Sequence, residues 1–218
     1  MHSFLLISFA ILSLSACYGQ SLSVGVVGGF RTTDDMAGTG ATSASRHYAI
    51  GPAVDIGLPL GFGIEVDAVY RREGYQTAFG NFAYSAFSDE RANSWEFPIL
   101  GKYRIPLRGF KPFLEVGYAP RVIRGSVSSD LVTYFGNSGL LPQPVYSHFT
   151  ASTDWPVSQG VIAGGGVQFG IGRLRLSPAV RYTHWSNAAV SGFYSDGPSF
   201  GSARDQVDVL LGIGWKIR

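Results

Sequence analysis

From residue 22 onward, apolar and polar residues alternate in eight stretches, at 22–31, 48–56, 62–71, 95–105, about 111–121, 160–169, 173–185 and 205–217. Alternation with a period of two marks a strand whose faces meet different surroundings. Each stretch is close to the 9–11 residues that a tilted strand needs to cross a bilayer. The connections sort into tight turns at 58–61, 106–110 and 171–172 and long segments at 34–45, 73–93, 124–157 and 187–204. The long ones are rich in Ser, Gly, Asn and Asp, which reads as loop, and they alternate strictly with the short ones.

This pattern predicts an all-β fold, an eight-stranded antiparallel up-and-down transmembrane β-barrel over residues 21–218. Both termini then fall on the side of the tight turns, the periplasmic side of a bacterial outer membrane. Counting by twos assigns the faces. Ile64, Val66, Ala68 and Tyr70 share one face of the third strand, and Glu65, Asp67 and Arg71 the other. In the eighth strand Val207, Val209, Leu211, Ile213 and Trp215 face lipid, whereas Gln206, Asp208 and Lys216 face inward. Extended around the sheet, the parity gathers Asp55, Glu65, Asp67, Glu96, Glu115 and Asp208 in the lumen with Arg31, Arg71, Lys102, Arg104, Arg121, Arg175 and Arg181. Eight strands enclose only enough room for side chains, and unpaired buried charge costs several kcal/mol. The expected interior is therefore plugged by ion pairs.

Composition narrows the picture further. Charged residues make up 15% of the chain, yet no apolar run reaches the ~18 residues of a membrane helix. The 29 glycines and 14% aromatic content suit closely approaching strands with aromatic belts. A net charge of +2, with no basic cluster interleaved with aromatics, gives no sign of nucleic-acid binding. Residues 1–20 read as a signal peptide with an apolar core from Phe4 to Leu12, although no Lys or Arg precedes it. Cleavage after Gly19 or Gln20 is one reading. The other takes Leu14-Ser15-Ala16-Cys17, which resembles a lipobox, with Cys17 as the acylated residue. Cys17 is the only cysteine, so the body of the chain carries no disulfide and no cysteine metal site, and nothing calls for a cofactor.

Glu96-Phe97-Pro98-Ile99-Leu100-Gly101-Lys102-Tyr103-Arg104 resembles the corresponding strand of the small bacterial outer-membrane β-barrel proteins. The run Asp205-Gln206-Val207-Asp208-Val209-Leu210-Leu211-Gly212-Ile213 is similar to their final strand. The resemblance implies a porin-like member of the Gram-negative envelope, inserted by the barrel assembly machinery and surrounded by outer-membrane lipid and lipopolysaccharide. Trp215 and Ile217 would supply the outward apolar residues of an assembly signal, in place of the terminal Phe common in the class.

One segment, Arg181-Tyr182-Thr183-His184-Trp185-Ser186-Asn187-Ala188, reads as chemistry. His-x-Ser-Asn-Ala ending a penultimate strand is similar to the motif of the lipid A 3-O-deacylases. That resemblance implies His184 as general base, Ser186 as nucleophile, Asn187 as an oxyanion donor and Asp205 as the acid that orients His184. Parity independently turns His184, Ser186 and Asp205 to the lipid face. The family carries Glu where Asp205 stands and Gly where Ala189 stands, and Asp196 is a rival orienter. The alternative is that Tyr182, His184 and Trp185 belong to an aromatic belt and Ser186 begins a loop.

Two functions follow. The first is a non-catalytic outer-membrane protein with a structural or surface-interaction role, its segments 73–93 and 124–157 open to an extracellular ligand. The second is an acyl-ester hydrolase of lipid A. Tyr134, Phe135, Tyr146, Phe149 and Trp155 either form a ligand surface or fold over the barrel mouth. Gly164-Gly165-Gly166 has no following helix and is no phosphate loop, and His2, His47 and His148 show no metal-ligand spacing.

Overall fold

The computed structural model describes residues 21–38, 41–80, 84–107, 109–135, 143–154, 157–188, 191–192 and 200–217. The leader 1–20, with Cys17, lies outside the described residues. Fifteen strands follow in order among those described: β1 Ser21–Arg31, β2 Met36–Gly38, β3 Thr42–Ser43, β4 Arg46–Gly57, β5 Phe62–Asp67, β6 Val69–Gly80, β7 Tyr84–Glu96, β8 Ile99–Arg104, β9 Phe110–Phe135, β10 Gln143–Asp154, β11 Ser158–Ile171, β12 Leu174–Trp185, β13 Ser191–Gly192, β14 Phe200–Ser202 and β15 Asp205–Lys216.

Eight of the walls these strands build close into a ring. β5 and β6 are one wall interrupted at Ala68, and β7 and β8 are one wall interrupted at Phe97-Pro98. The interruptions do not break the ladder, because Ala68 N donates to Pro52 O at 3.0 Å, Asp67 N to Pro98 O at 3.0 Å and Phe97 N to Pro120 O at 2.9 Å. Pro98 has no N–H to give, which is where a strand tolerates such a break. Around the ring β1 pairs with β4, β4 with β5 and β6, β5 with β8, both β8 and β7 with β9, β9 with β11, β11 with β12 and β12 with β15. β15 returns to β1 with Arg31 opposite Asp208, closing the barrel antiparallel throughout.

The tight turns fall where the alternation stops. Between β4 and β5 the chain makes a 3-10 turn at Pro59–Gly61, in which Leu60 and Gly61 both adopt positive φ. Gly172 does the same between β11 and β12, a conformation open to glycine at little cost. The outer wall is apolar: Val26, Ile64, Val66, Ile99, Val116, Val180, Leu211 and Ile213 are all exposed. Leu100, Ile162 and Trp185 are buried inside.

The opposite end departs from expectation. Segments 73–93 and 124–157, read above as loops, are largely strand: β6 and β7 run to Gly80 and from Tyr84, β9 spans 26 residues, and β10 adds a further strand. Side by side, β3, β6, β7, β9 and β10 form a sheet that carries the barrel wall past the length a bilayer requires. These stretches have polar residues on both faces, so they lack the one-sided alternation that revealed the barrel strands. Segments 34–45 and 187–204 likewise contribute a small sheet in the order β13–β14–β2.

Wall strands approach closely. A Cβ at Gly117 would lie 2.0 Å from Ile99 O, a backbone atom that cannot yield. Gly117→Val is expected to destabilise the barrel by ~3 kcal/mol, the upper end of overpacking costs. The lowered denaturant midpoint in detergent micelles, and loss of the compact unboiled band on gels, measure it.

Candidate functional site: a charged lumen and a histidine pair on the outer wall

Every inward position of the ring is adjacent to two other strands, so charges placed there meet across the lumen. The structure brings together all thirteen charged residues assigned to it; twelve are buried and Arg175 is half-buried. At the centre Arg181 on β12 reaches three carboxylates on other walls. Its Nε lies 2.6 Å from Glu115 Oε1, Nη1 2.7 Å from Asp67 Oδ2 and Nη2 2.6 Å from Glu65 Oε1. Lys102 Nζ ties the same Glu65 at 2.6 Å and Glu115 at 3.1 Å, and sits 4.5 Å from the Phe113 ring centroid. A planar guanidinium with five donors suits this multiple bracing better than an ammonium would. The void beside this brace, lined by Asp55, Glu65, Lys102 and Arg181 among others, holds about 40 Å³.

Toward the turns, Arg104 and Arg175 share the single carboxylate of Asp55. Toward the long hairpins, Arg71 binds Asp208 at 2.6 Å and Glu96 at 3.2 Å, and Arg31 joins the same two acids at 3.5 Å. Two acids missed in the sequence complete this end. Asp35 holds Arg31 at 2.6 Å, and Glu73 approaches Arg121 Nη1 at 3.6 Å. Both were placed in loops, although Glu73 shares parity with Arg71 and could have been found that way. The Arg121 guanidinium also stacks 3.8 Å above the Trp185 ring.

That contact corrects the aromatic-belt reading of the seventh strand. Trp185 is 1% exposed, points inward and donates from Nε1 to Gln206 Oε1 at 2.6 Å. It shares parity with Arg181, not with Tyr182 and His184, so the belt could not have held all three.

On the outside of the same strand, Tyr182, His184 and Ser186 are exposed. His184 stands directly opposite Asp205 in the β12–β15 ladder. Its Nδ1 donates to Asp205 Oδ1 at 2.7 Å, and the Tyr182 hydroxyl donates to the same oxygen. A carboxylate can only accept, so the Nδ1 proton points to Asp205 and the Nε2 lone pair is presented on the other side of the ring. The Ser186 hydroxyl does not meet that nitrogen: it donates to Asn187 Oδ1 at 2.9 Å. Arg204 Nη2 instead stands 3.5 Å from Nε2, anchored by its Nε on Trp185 O at 2.9 Å. A His–Asp pair is thus assembled, with the serine beside it and turned away. Asp196 and Ala189 lie outside the described residues.

Tyr134, Tyr146 and Phe149 are exposed on β9 and β10, while the side chains of Phe135 and Trp155 lie outside the described residues. On this hairpin His148 Nδ1 meets Asp130 Oδ1 at 2.6 Å, both well exposed.

No protein-family model matches the sequence, and no curated protein sequence matches it. Among solved structures the chain is similar to the outer membrane protein OprG from Pseudomonas aeruginosa, with a TM-score of 0.50 at 10% identity over 91% of this chain and 95% of that one. Neisserial surface protein A aligns with a TM-score of 0.45 at 12% identity, over 90% of this chain and 98% of that one. The N-terminal β-barrel domain of Pseudomonas aeruginosa OprF gives 0.41 at 10% identity, over 90% and 97%. The likeness to OprG is one of fold alone: this chain has the architecture of an outer-membrane barrel.

Arg181→Met removes the only cation paired with Asp67 among the described residues and one partner each of Glu65 and Glu115. Breaking a buried charge group in this way costs ~3–5 kcal/mol. The expected result is a large fall in the urea midpoint of micelle-bound protein, recovered in part by adding Asp67→Asn.

Proposed function

We propose that this protein is an outer-membrane barrel of a Gram-negative envelope, with both termini periplasmic, whose plugged body carries no through-pore and displays the sheet of β6, β7, β9 and β10 outside the cell. The observation that carries the reading is the Arg181–Lys102 brace, which joins β5, β8, β9 and β12 across the lumen through Glu65, Asp67 and Glu115. An ion crossing the barrel would have to displace these buried pairs, at several kcal/mol for each charge exposed. The apolar outer wall suits lipid, and the long hairpins belong on the cell exterior as they do in this class. The role is then structural or one of surface contact, exerted through the exposed Tyr146, Phe149 and neighbouring polar groups of β10. Protein reconstituted in planar bilayers should show no stable porin-like conductance; large, long-lived single-channel steps would overturn the proposal.

The His184–Asp205 contact favours a second reading, an acyl-ester hydrolase acting on lipid A from the outer wall. In it, rotation of the Ser186 side chain brings Oγ to His184 Nε2, which takes the hydroxyl proton as Oγ attacks the ester carbonyl carbon. The imidazolium returns that proton to the departing alkoxide, and water then hydrolyses the acyl-serine. In this reading Asp205 holds the imidazole and Asn187 supplies a donor to the oxyanion. Mass spectrometry of lipid A from an expressing host separates the two readings. Loss of one hydroxyacyl chain, reversed by Ser186→Ala, establishes the hydrolase, since removing a nucleophile costs several orders of magnitude in rate. An unchanged profile with folded protein in the membrane leaves the non-catalytic reading.

A further inference from the structure

The turn end of the barrel is not plugged. Below Asp55 the lumen opens into a cavity of about 240 Å³, lined by Ser21, Arg104, Lys111, Gln168 and Arg175 together with turn residues. Through Lys111, Gln168 and Arg175 it adjoins a second of about 220 Å³. Glycine keeps the wall thin here: a Cβ at Gly170, which lines the second cavity, would meet nothing within 4 Å.

The charge lining this chamber is one-sided. Arg104, Lys111 and Arg175 contribute to it, and among the described residues no carboxylate does. Asp55, just inside, is shared between Arg104 and Arg175 and can neutralise only one of them. Lys111, placed opposite Gln168 in the β9–β11 ladder, has no ion-pair or hydrogen-bond partner among the described residues. Arg104 is 7% exposed and its Nε finds no acceptor. A buried donor left unmatched costs ~1–3 kcal/mol, more when charged, so the chamber is built with donors awaiting an acceptor.

We propose that this vestibule is a binding site for a single phosphate-type oxyanion. The forked guanidinium groups of Arg104 and Arg175 match paired phosphate oxygens, and Lys111 adds a third positive charge at the mouth. The volume exceeds by several-fold the ~30 Å³ share of one water in the liquid, leaving room for the ion and part of its hydration shell. The group can be the headgroup of an anionic phospholipid in the leaflet beside the turns, or free inorganic phosphate. The lipid source rests on the envelope location proposed above; the site itself does not.

Equilibrium dialysis of radiolabelled phosphate against folded protein in a zwitterionic detergent, with chloride holding ionic strength constant, tests it. Saturable binding of about one phosphate per barrel is expected. Lys111→Gln should weaken it at least roughly tenfold, in line with the loss of a charge-assisted hydrogen bond. Gly170→Leu keeps every charge and projects into the adjoining cavity beside Lys111 and Arg175, so it should sharply weaken binding while leaving the heat-modifiable gel band intact. Absence of saturable binding, or binding that neither substitution changes, overturns the proposal. Repeating the measurement in phosphatidylglycerol nanodiscs fixes the source. Phosphate uptake suppressed there, but not in phosphatidylcholine nanodiscs, assigns the lipid headgroup; uptake equal in both assigns free phosphate.

Discussion

Arg181 sits where three walls of the ring meet at one guanidinium, and its three short ion pairs set the terms for everything around it. A closed ring of eight strands leaves no room for water to solvate a charge on every side. Each Arg or Lys in the packed middle of the lumen therefore meets a carboxylate from another wall. Lys102 completes the brace by holding the two glutamates that Arg181 also holds. Removal of Arg181 takes from Asp67 its ion-pair partner among the described residues and one partner each from Glu65 and Glu115, which makes the lumen a cooperative unit and not a sum of separate bridges.

The same closure separates two kinds of chemistry by a single residue of parity. Along β12, Arg181, Thr183 and Trp185 enter the packed interior, while Tyr182, His184 and Ser186 stand outside. The inner set is locked by ion pairs, the Trp185–Gln206 hydrogen bond and the Arg121 stack. The outer set is exposed, and Asp205, opposite His184 in the ladder, holds both His184 and the Tyr182 hydroxyl. At this rim the Ser186 hydroxyl is turned to Asn187 and Arg204 faces the free side of the His184 ring.

Charge is also divided along the barrel axis. The long-hairpin end gathers Asp35, Glu73, Glu96 and Asp208 around Arg31, Arg71 and Arg121, whereas the turn end leaves Arg104, Lys111 and Arg175 with Asp55 alone. The two ends of the barrel therefore differ in fixed charge, the turn end carrying the excess of cations among the described residues.

Alternation along the chain was enough to place the eight walls, the tight turns, the apolar outer face and the identity of the thirteen lumen charges, because period-two facing is a local property of an extended backbone. It also placed His184 and Asp205 on one face. The extended hairpins were illegible for a physical reason: above the apolar band both faces of a strand meet water, and polar residues on both sides carry no periodic signal. Which charge meets which was decided only by closure of the ring. Arg181 and Glu65 are 116 residues apart, and their contact depends on the stagger of strands around the barrel, a quantity that no short stretch of sequence contains. Tertiary structure likewise turned Trp185 inward onto Arg121, directed the Ser186 hydroxyl to Asn187 and left the vestibule at the turns unfilled, since each depends on side chains brought together from different walls.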